Sequence, residues 1–344
     1  MSTTKHAATA HDHITPGASS MRAVIQDRYG PAEVLRHATI ARPATGENDV
    51  LIRVRAAGTH IGDWHLMTGQ PYLMRIMGFG LRSPKARIRG TDVAGTVVAV
   101  GAHVTGVQAG DEVFGSCDGS YAEYATARPD TLAPKPATLS FVQAAAVPTS
   151  AATALSAVRD SGHVTAGQKV LVIGASGGVG LFAVQIAKAL GAEVTGVCST
   201  TKVALVRSAG ADHVIDYTQK DVDANAHRYD VIIDMGGNRP LSQLRRSLTP
   251  RGTLVLVGGE GGGRWIGGAM GRSLRALMLS PFVKQELRMV LATVKRPGLQ
   301  ALSQLIDAGQ VTPIIDKTYP LNDAPDAIRR LCTGQAHGKL AIQI

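Results

Sequence analysis

Residues 170–180 read VLVIGASGGVG, and this stretch decides the fold. Val170, Leu171, Val172 and Ile173 are four successive apolar residues, the pattern of a strand buried on both faces. A glycine-rich turn follows. Leu181, Val184, Ala187 and Leu190 then recur at helical spacing until Gly191 supplies a stop. A turn without bulky side chains lets a pyrophosphate approach the free N–H groups of a helix N-terminus. Against the GxGxxG pattern, Ala175 takes the first position, and Gly177 and Gly180 take the second and third. Ser176, Gly178 and Val179 complete the expected cofactor-binding turn.

Outward from this turn the chain alternates strand and helix. Strands are expected at 170–173, 193–198, 213–216, 230–234 and 254–257, with amphipathic helices between most of them. Such alternation predicts an α/β unit with a parallel, doubly wound sheet over residues 149–287. Residues 21–148 read instead as β-rich, with short apolar runs bounded by Gly, Pro, Asn and Asp. The closing run at 339–344 reads as a strand that returns to this first unit, which residues 288–344 would complete. Residues 1–20, rich in Ala, Thr, Ser and His, read as a flexible extension with no apolar core or arginine-rich face.

Composition narrows the function classes. A chain of 344 residues with 44% hydrophobic and 18% charged residues is globular rather than disordered. Aromatic residues are only 4%, which argues against stacking platforms for single-stranded nucleic acid. The net charge of +10 gathers in two groups: Arg75, Arg82, Lys85, Arg87 and Arg89, then Arg264, Arg272, Arg275, Lys284, Arg288, Lys295 and Arg296. With no nucleic-acid recognition motif beside them, these suit steering of an anionic ligand. Cys117, Cys198 and Cys332 lie far apart, a usage that fits a reducing, cytoplasmic setting. The uncharged run at 170–187 suits strand, turn and helix better than a membrane span. A small molecule is therefore the expected partner, with neither nucleic acid nor membrane.

The end of the second strand reports on the nucleotide. An acid about twenty residues beyond the glycines would hold a free ribose 2′-hydroxyl. Here Val197-Cys198-Ser199-Thr200-Thr201-Lys202 contains no carboxylate. Ser199 and Lys202 suit a 2′-phosphate, so NADPH is favoured over NADH, although Ser199 and Thr200 also suit helix capping.

Several motifs carry a family resemblance: Arg28-Tyr29-Gly30, Gly90-Thr91-Asp92-Val93-Ala94-Gly95, Gly110-Asp111-Glu112-Val113, the Ala-Ala-Val-Pro-Thr run at 145–149, and the turn at 174–180. The chain resembles the medium-chain dehydrogenase/reductase superfamily, in its zinc-independent quinone-oxidoreductase-like branch, from Met21 to Ile344. That resemblance implies a GroES-like β-rich catalytic domain plus a Rossmann doubly wound parallel-sheet domain, a cleft between them, and a homodimer or homotetramer.

The resemblance also assigns residues. Zinc-dependent relatives place a cysteine ligand where this chain has His60, and their Gly-His-Glu becomes Gly90-Thr91-Asp92. The structural-zinc lobe with four cysteines has no counterpart, so no metal is expected. Quinone reductases of the family often carry Asn and Tyr at the positions of His60 and His65. His65 and His60 are thus candidate catalytic residues, with Asp63 expected to orient its neighbours. Thr153 would approach the nicotinamide ribose or carboxamide, Tyr217 the 2′-phosphate together with Lys202, and the Val257-Gly258-Gly259 turn the carboxamide. The glycine-rich stretch 258–271, with Arg264 and Trp265, is a candidate lid. The implied function is zinc-independent, NADPH-dependent hydride transfer to a quinone, enone or similar activated carbonyl. The alternatives are an NAD(P)-dependent alcohol/aldehyde dehydrogenase-reductase and a low-turnover NADPH-binding sensor or interaction protein.

Overall fold

The computed structural model describes residues 19–222, 228–258, 265, 268–290 and 292–344. The first unit opens with an antiparallel pair, β1 (Ser20–Ile25) and β2 (Arg36–Ala41). A larger sheet follows from β3 (Val50–Gly58), β4 (Asp92–Val100), β5 (Glu112–Ser116), β6 (Tyr124–Ala127) and β7 (Leu132–Pro134). Burial alternates only over Ile52–Ala56 in the middle of β3, and both ends of the strand are buried on successive residues.

The second unit contains β8 (Lys169–Ile173), β9 (Glu193–Cys198), β10 (His213–Asp216), β11 (Tyr229–Asp234), β12 (Leu248–Leu256) and β13 (Glu286–Met289). Their order is β10-β9-β8-β11-β12-β13, every pair parallel. This is the Rossmann order, with the reversal beside the first strand. Val170, Leu171 and Val172 have no exposed surface. Complete burial of such a side chain contributes roughly 1.5–3 kcal/mol.

The sequence expectation needs correcting at the edges of this unit. Five parallel strands were expected, and β13 adds a sixth that lies across residue 287. Edge strands bury little, and Glu286-Leu287-Arg288-Met289 carries no apolar run to announce itself. At the other end, Ser20 pairs with Ala41 and already belongs to β1. The remainder of the expected extension, residues 1–18, lies outside the described residues.

Chain return is as expected. β14 (Ile315–Pro320) and β15 (Lys339–Gln343) pair in parallel, and β15 pairs antiparallel with β3 in the first unit. The two units meet over α2 (Phe141–Ala145) and α3 (Pro148–Leu155). One hydrophobic cluster runs through that seam, joining Ala56, Ala94 and Phe114 to Ala151, Val170 and Phe182. The site residues sit along it, on α1 (Ile61–Thr68), α3, β15 and the start of α4 (Gly178–Ala189). No helix among the described residues is long and apolar enough to cross a membrane.

Candidate active site at the domain seam

The turn between β8 and α4 is built for close approach. Gly174 has φ +80°, a conformation that side-chain-bearing residues rarely adopt. A Cβ on Gly180 would stand 2.1 Å from the Gly174 carbonyl oxygen, so only glycine lets α4 pack against the turn. Ala175 is buried, and its N–H is already bonded to the Val197 carbonyl at 3.0 Å. Gly177 is the N-cap of α4. The amides of Gly178, Val179 and Gly180 occupy the first turn, where a helix offers no internal acceptor. Ser176 is half-buried beside them. Bare backbone donors at the positive end of a helix fit a pyrophosphate.

A residue the sequence reading missed lies against this turn. Lys339 is 3% exposed, and its Nζ donates to the Thr59 carbonyl at 2.6 Å and to Ser150 Oγ at 2.7 Å. Its side chain passes Gly178, where a Cβ would meet Cδ at 3.0 Å and Nζ at 3.9 Å. Burial holds its pKa below the usual lysine value, opposed by the carboxylates of Asp92 and Asp63. A lysine that opens a strand reads as a surface residue, so no local signal announced it.

The nucleotide rim is also more occupied than expected. Lys202 Nζ donates to the carbonyls of Gly334 and Ala336, both at 2.8 Å. Ser199 is half-buried at the end of β9 and makes no side-chain cap bond. Tyr217 is 53% exposed, and its N–H reaches the Cys198 carbonyl at 3.1 Å. A carboxylate that the reading did not consider, Asp216, accepts from Thr200 Oγ1 at 2.6 Å. The Thr200 hydroxyl, with help from Thr218 and Gln219, holds this carboxyl below its usual range. Val257 N–H bonds the Asp234 carbonyl, and Gly258 follows it, whereas Gly259 lies outside the described residues.

At the other end of the seam the candidate catalytic residues divide. His60 caps α1, and its N–H donates to Asp63 Oδ2 at 2.9 Å. Its Nε2 lies 2.8 Å from Thr91 Oγ1 and 3.7 Å from Asp63 Oδ1. Gly62 makes room for the imidazole, since a Cβ there would meet His60 Nδ1 at 2.7 Å. Asp63 also accepts from the buried Tyr121 hydroxyl at 3.1 Å, while its Oδ1 has no hydrogen-bond donor among the described residues. Burial, reinforced by Asp63, pushes the Tyr121 hydroxyl far above its ordinary pKa, so it stays a donor. His65 is held apart in the last turn of α1, its Nδ1 on the Gln70 carbonyl at 2.8 Å.

Asp92 underlies the His60 cluster. Its carboxylate is fully buried and accepts from Thr149 N–H at 3.2 Å and from Thr149 Oγ1 at 2.5 Å. Burial raises its pKa, with His60 and Lys339 pulling the other way. Thr153, one turn along α3, donates its hydroxyl to the Thr149 carbonyl at 2.7 Å. Among the described residues no three His, Cys, Asp or Glu side chains converge as metal ligands. A zinc ion ordinarily takes three protein ligands. The His60, Thr91 and Asp92 set, with Asp92 already capped by Thr149, does not fit one.

The basic groups do not form one surface. Arg75 stacks 4.3 Å from the Tyr29 ring, Arg87 pairs with Asp27, and Arg89 is buried with its Nε unpartnered among the described residues. In the second group Arg272 is bound to the buried Asp234 carboxylate at 2.6 Å, Lys295 to Asp130, and Arg264 lies outside the described residues. Of the candidate lid, Trp265 is described and packs edge-on against Tyr72 at 5.5 Å.

Comparison with known proteins agrees with this anatomy. Residues 46–137 match the model "Alcohol dehydrogenase GroES-like domain", and residues 209–342 match "Zinc-binding dehydrogenase". The mitochondrial NAD(P)H oxidoreductase RTN4IP1 of Mus musculus is 32% identical, over 94% of this chain and 89% of its own length. The 2-methylene-furan-3-one reductase of Solanum lycopersicum is 31% identical, over 94% and 79%. The structure of the quinone oxidoreductase from Coxiella burnetii superposes with TM-score 0.83 at 29% identity, covering 95% of this chain and all of that one. With its GroES-like unit, its Rossmann sheet and relatives matched over 79–100% of their length, the chain belongs to the medium-chain dehydrogenase/reductase superfamily, among its quinone-oxidoreductase-like NAD(P)H-dependent oxidoreductases.

Proposed function

We propose that this protein is a zinc-independent, NADPH-dependent reductase of quinones, enones or similar activated carbonyls. The observation that carries the reading is the His60–Thr91 contact at 2.8 Å, which joins the two side chains at the positions where zinc-dependent relatives hold metal. The bound reduced nicotinamide supplies the hydride. The chain's own task is to hold the developing oxyanion and deliver a proton to it. With His60 in its imidazolium form and Nε2 donating to Thr91 Oγ1, the Thr91 hydroxyl is free to donate to a substrate oxygen. As the Thr91 proton moves to that oxygen, the Nε2 proton of His60 replaces it, leaving a neutral imidazole. Asp63 accepts from the His60 backbone N–H and from the Tyr121 hydroxyl, and its Oδ1 lies 3.7 Å from His60 Nε2, which holds the residue that carries the imidazole. His65, anchored on Gln70, is assigned a second hydrogen bond to substrate.

Cofactor binding follows the seam. Gly177, Gly178, Val179 and Gly180 receive the pyrophosphate, with Ala175 and Ser176 shaping the turn. Lys339 adds a buried positive charge beside it. Thr153, Val257 and Gly258 would frame the nicotinamide. The absence of an acid at the end of β9 supports NADPH. An ammonium has three N–H donors, and Lys202 spends two on carbonyls, leaving one for a 2′-phosphate beside Ser199 and Tyr217. Self-association is part of the proposal: β13 is the open edge of its sheet, and Leu277, Met278 and Phe282 are 70–84% exposed nearby. A cytoplasmic location rests on cysteine usage alone.

The test is NADPH oxidation by the purified protein over a quinone and enone panel, with and without chelator. Turnover that persists in chelator is expected. Activity lost to chelator and restored by zinc would overturn the metal-free assignment, and activity confined to simple aldehydes would favour the alcohol dehydrogenase-reductase alternative.

A further inference from the structure

Between Asp63 and Asp92 the chain carries no acidic residue, and in the middle of this stretch it displays apolar side chains to solvent. Ile76 is 69% exposed, Met77 63%, Phe79 45% and Leu81 67%. Arg82 and Lys85 stand exposed directly after them. This display is held in place. Arg75 lies 4.3 Å from the Tyr29 ring and 4.6 Å from the Tyr72 ring, and its Nε donates to the Gly69 carbonyl at 2.9 Å. The Tyr29 hydroxyl donates to the Phe79 carbonyl at 2.9 Å or the Gly80 carbonyl at 2.6 Å. Lys85 N–H closes the tip on the Phe79 carbonyl at 2.9 Å. The tip is therefore pinned at its root, with its apolar side chains turned away from the core.

We propose that the segment 75–85 is an interfacial anchor that docks this protein on an anionic lipid surface. Contiguous exposed apolar side chains mark an interaction site. Their basic flank selects the partner. A second copy would bring Arg82 and Lys85 against the same charges in a chain of net charge +10, whereas an anionic bilayer attracts both. The tip enters the headgroup boundary with Ile76, Met77, Phe79 and Leu81, and Arg82 and Lys85 stay at the phosphates. A loop that lies on a bilayer needs no spanning segment, so hydropathy along the sequence carries no sign of it. Tyr72, at the root of the tip, contacts Trp265 of the candidate lid, so docking brings that residue to the lipid face. On the reductase reading, that is where a quinone with an apolar tail resides.

The test is co-sedimentation of the full chain at low salt with vesicles of phosphatidylcholine alone and with phosphatidylcholine–phosphatidylglycerol vesicles. Binding to the second and not the first is expected. Ile76→Ser with Leu81→Ser, and separately Arg82→Glu with Lys85→Glu, should each cut the partition coefficient about tenfold or more at unchanged Tm. If the apolar pair lowers Tm, the charge pair decides, because it removes no packing. Wild-type protein left in the supernatant, or a charge pair that sediments like wild type, overturns the proposal. So does a concentration-dependent dimer, seen by ultracentrifugation, that Ile76→Ser dissolves. The readout is lipid partition, so it succeeds or fails independently of turnover.

Discussion

The proposed anion cradle is built from backbone within seven consecutive residues, 174–180, whereas the cluster around His60 draws side chains from positions as far apart as 60 and 339. In the cradle, side chains matter chiefly by being absent. Around His60 each residue matters through its partner: Thr91 for the imidazole, Tyr121 for Asp63, Thr149 for Asp92. A backbone site tolerates almost no added atoms. A side-chain site tolerates substitutions that keep its shape and fails when a proton path is cut.

That contrast can be broken or sharpened by substitution. The largest effect is expected at Gly180, where a Cβ would lie 2.1 Å from the Gly174 oxygen. Gly180→Ala should cost about 3 kcal/mol of stability by overpacking, read from urea unfolding, together with loss of measurable NADPH binding in a fluorescence titration. An alanine variant that binds normally would remove the backbone account of the cradle. Next, Thr91→Val keeps the shape beside His60 and removes the hydroxyl. It should lower kcat by about a hundredfold while NADPH affinity is unchanged, a split that separates proton delivery from binding. Equal losses in both would merge the two ends that the comparison keeps apart.

Lys339 touches both ends. Lys339→Met retains the stem and removes the charge, and NADPH affinity should fall about tenfold, or about 1.4 kcal/mol, by calorimetry. The same variant carries a pH signature. Burial lowers the Lys339 pKa in the folded protein, so between that value and its ordinary 10.5 the unfolded chain binds more protons. Stability contributed by this residue therefore rises with pH through that window, and the methionine variant should lose that rise in alkaline unfolding curves. The smallest effect is at Lys202. Lys202→Ala should weaken NADPH by several-fold and leave NADH nearly untouched; parallel losses would place the 2′-phosphate elsewhere.

How much of this was legible in the sequence follows from the same contrast. The cradle was readable because strand, turn and helix start are local, and each leaves its period in the residues. β8, β9, β11 and the end of β12 were readable because strands covered on both faces carry apolar runs, and β10, at an edge, was read from the Val214-Ile215 pair between His213 and Asp216. β13 was not, since Leu287 and Met289 alternate with Glu286 and Arg288 at an open edge. Thr91 and His60 were located by resemblance to zinc-binding positions, yet their contact depends on how β4 is set against α1. Tyr121 and Lys339 gave no sign at all. Their roles arise from segments that meet only after folding, and their types are ordinary for a loop and a strand end. The anchoring of His65 on the Gln70 carbonyl was not readable either, since it depends on how the chain turns after α1.

Lys202 has a consequence for anyone who would retune the coenzyme choice of this enzyme. Its ammonium bridges from the nucleotide-binding unit to the Gly334 and Ala336 carbonyls, just ahead of the strand that re-enters the other unit. Replacing it to exchange one dinucleotide for the other would also cut a strap between the two halves. A redesign judged only by which coenzyme it accepts would overlook the loss of that tie.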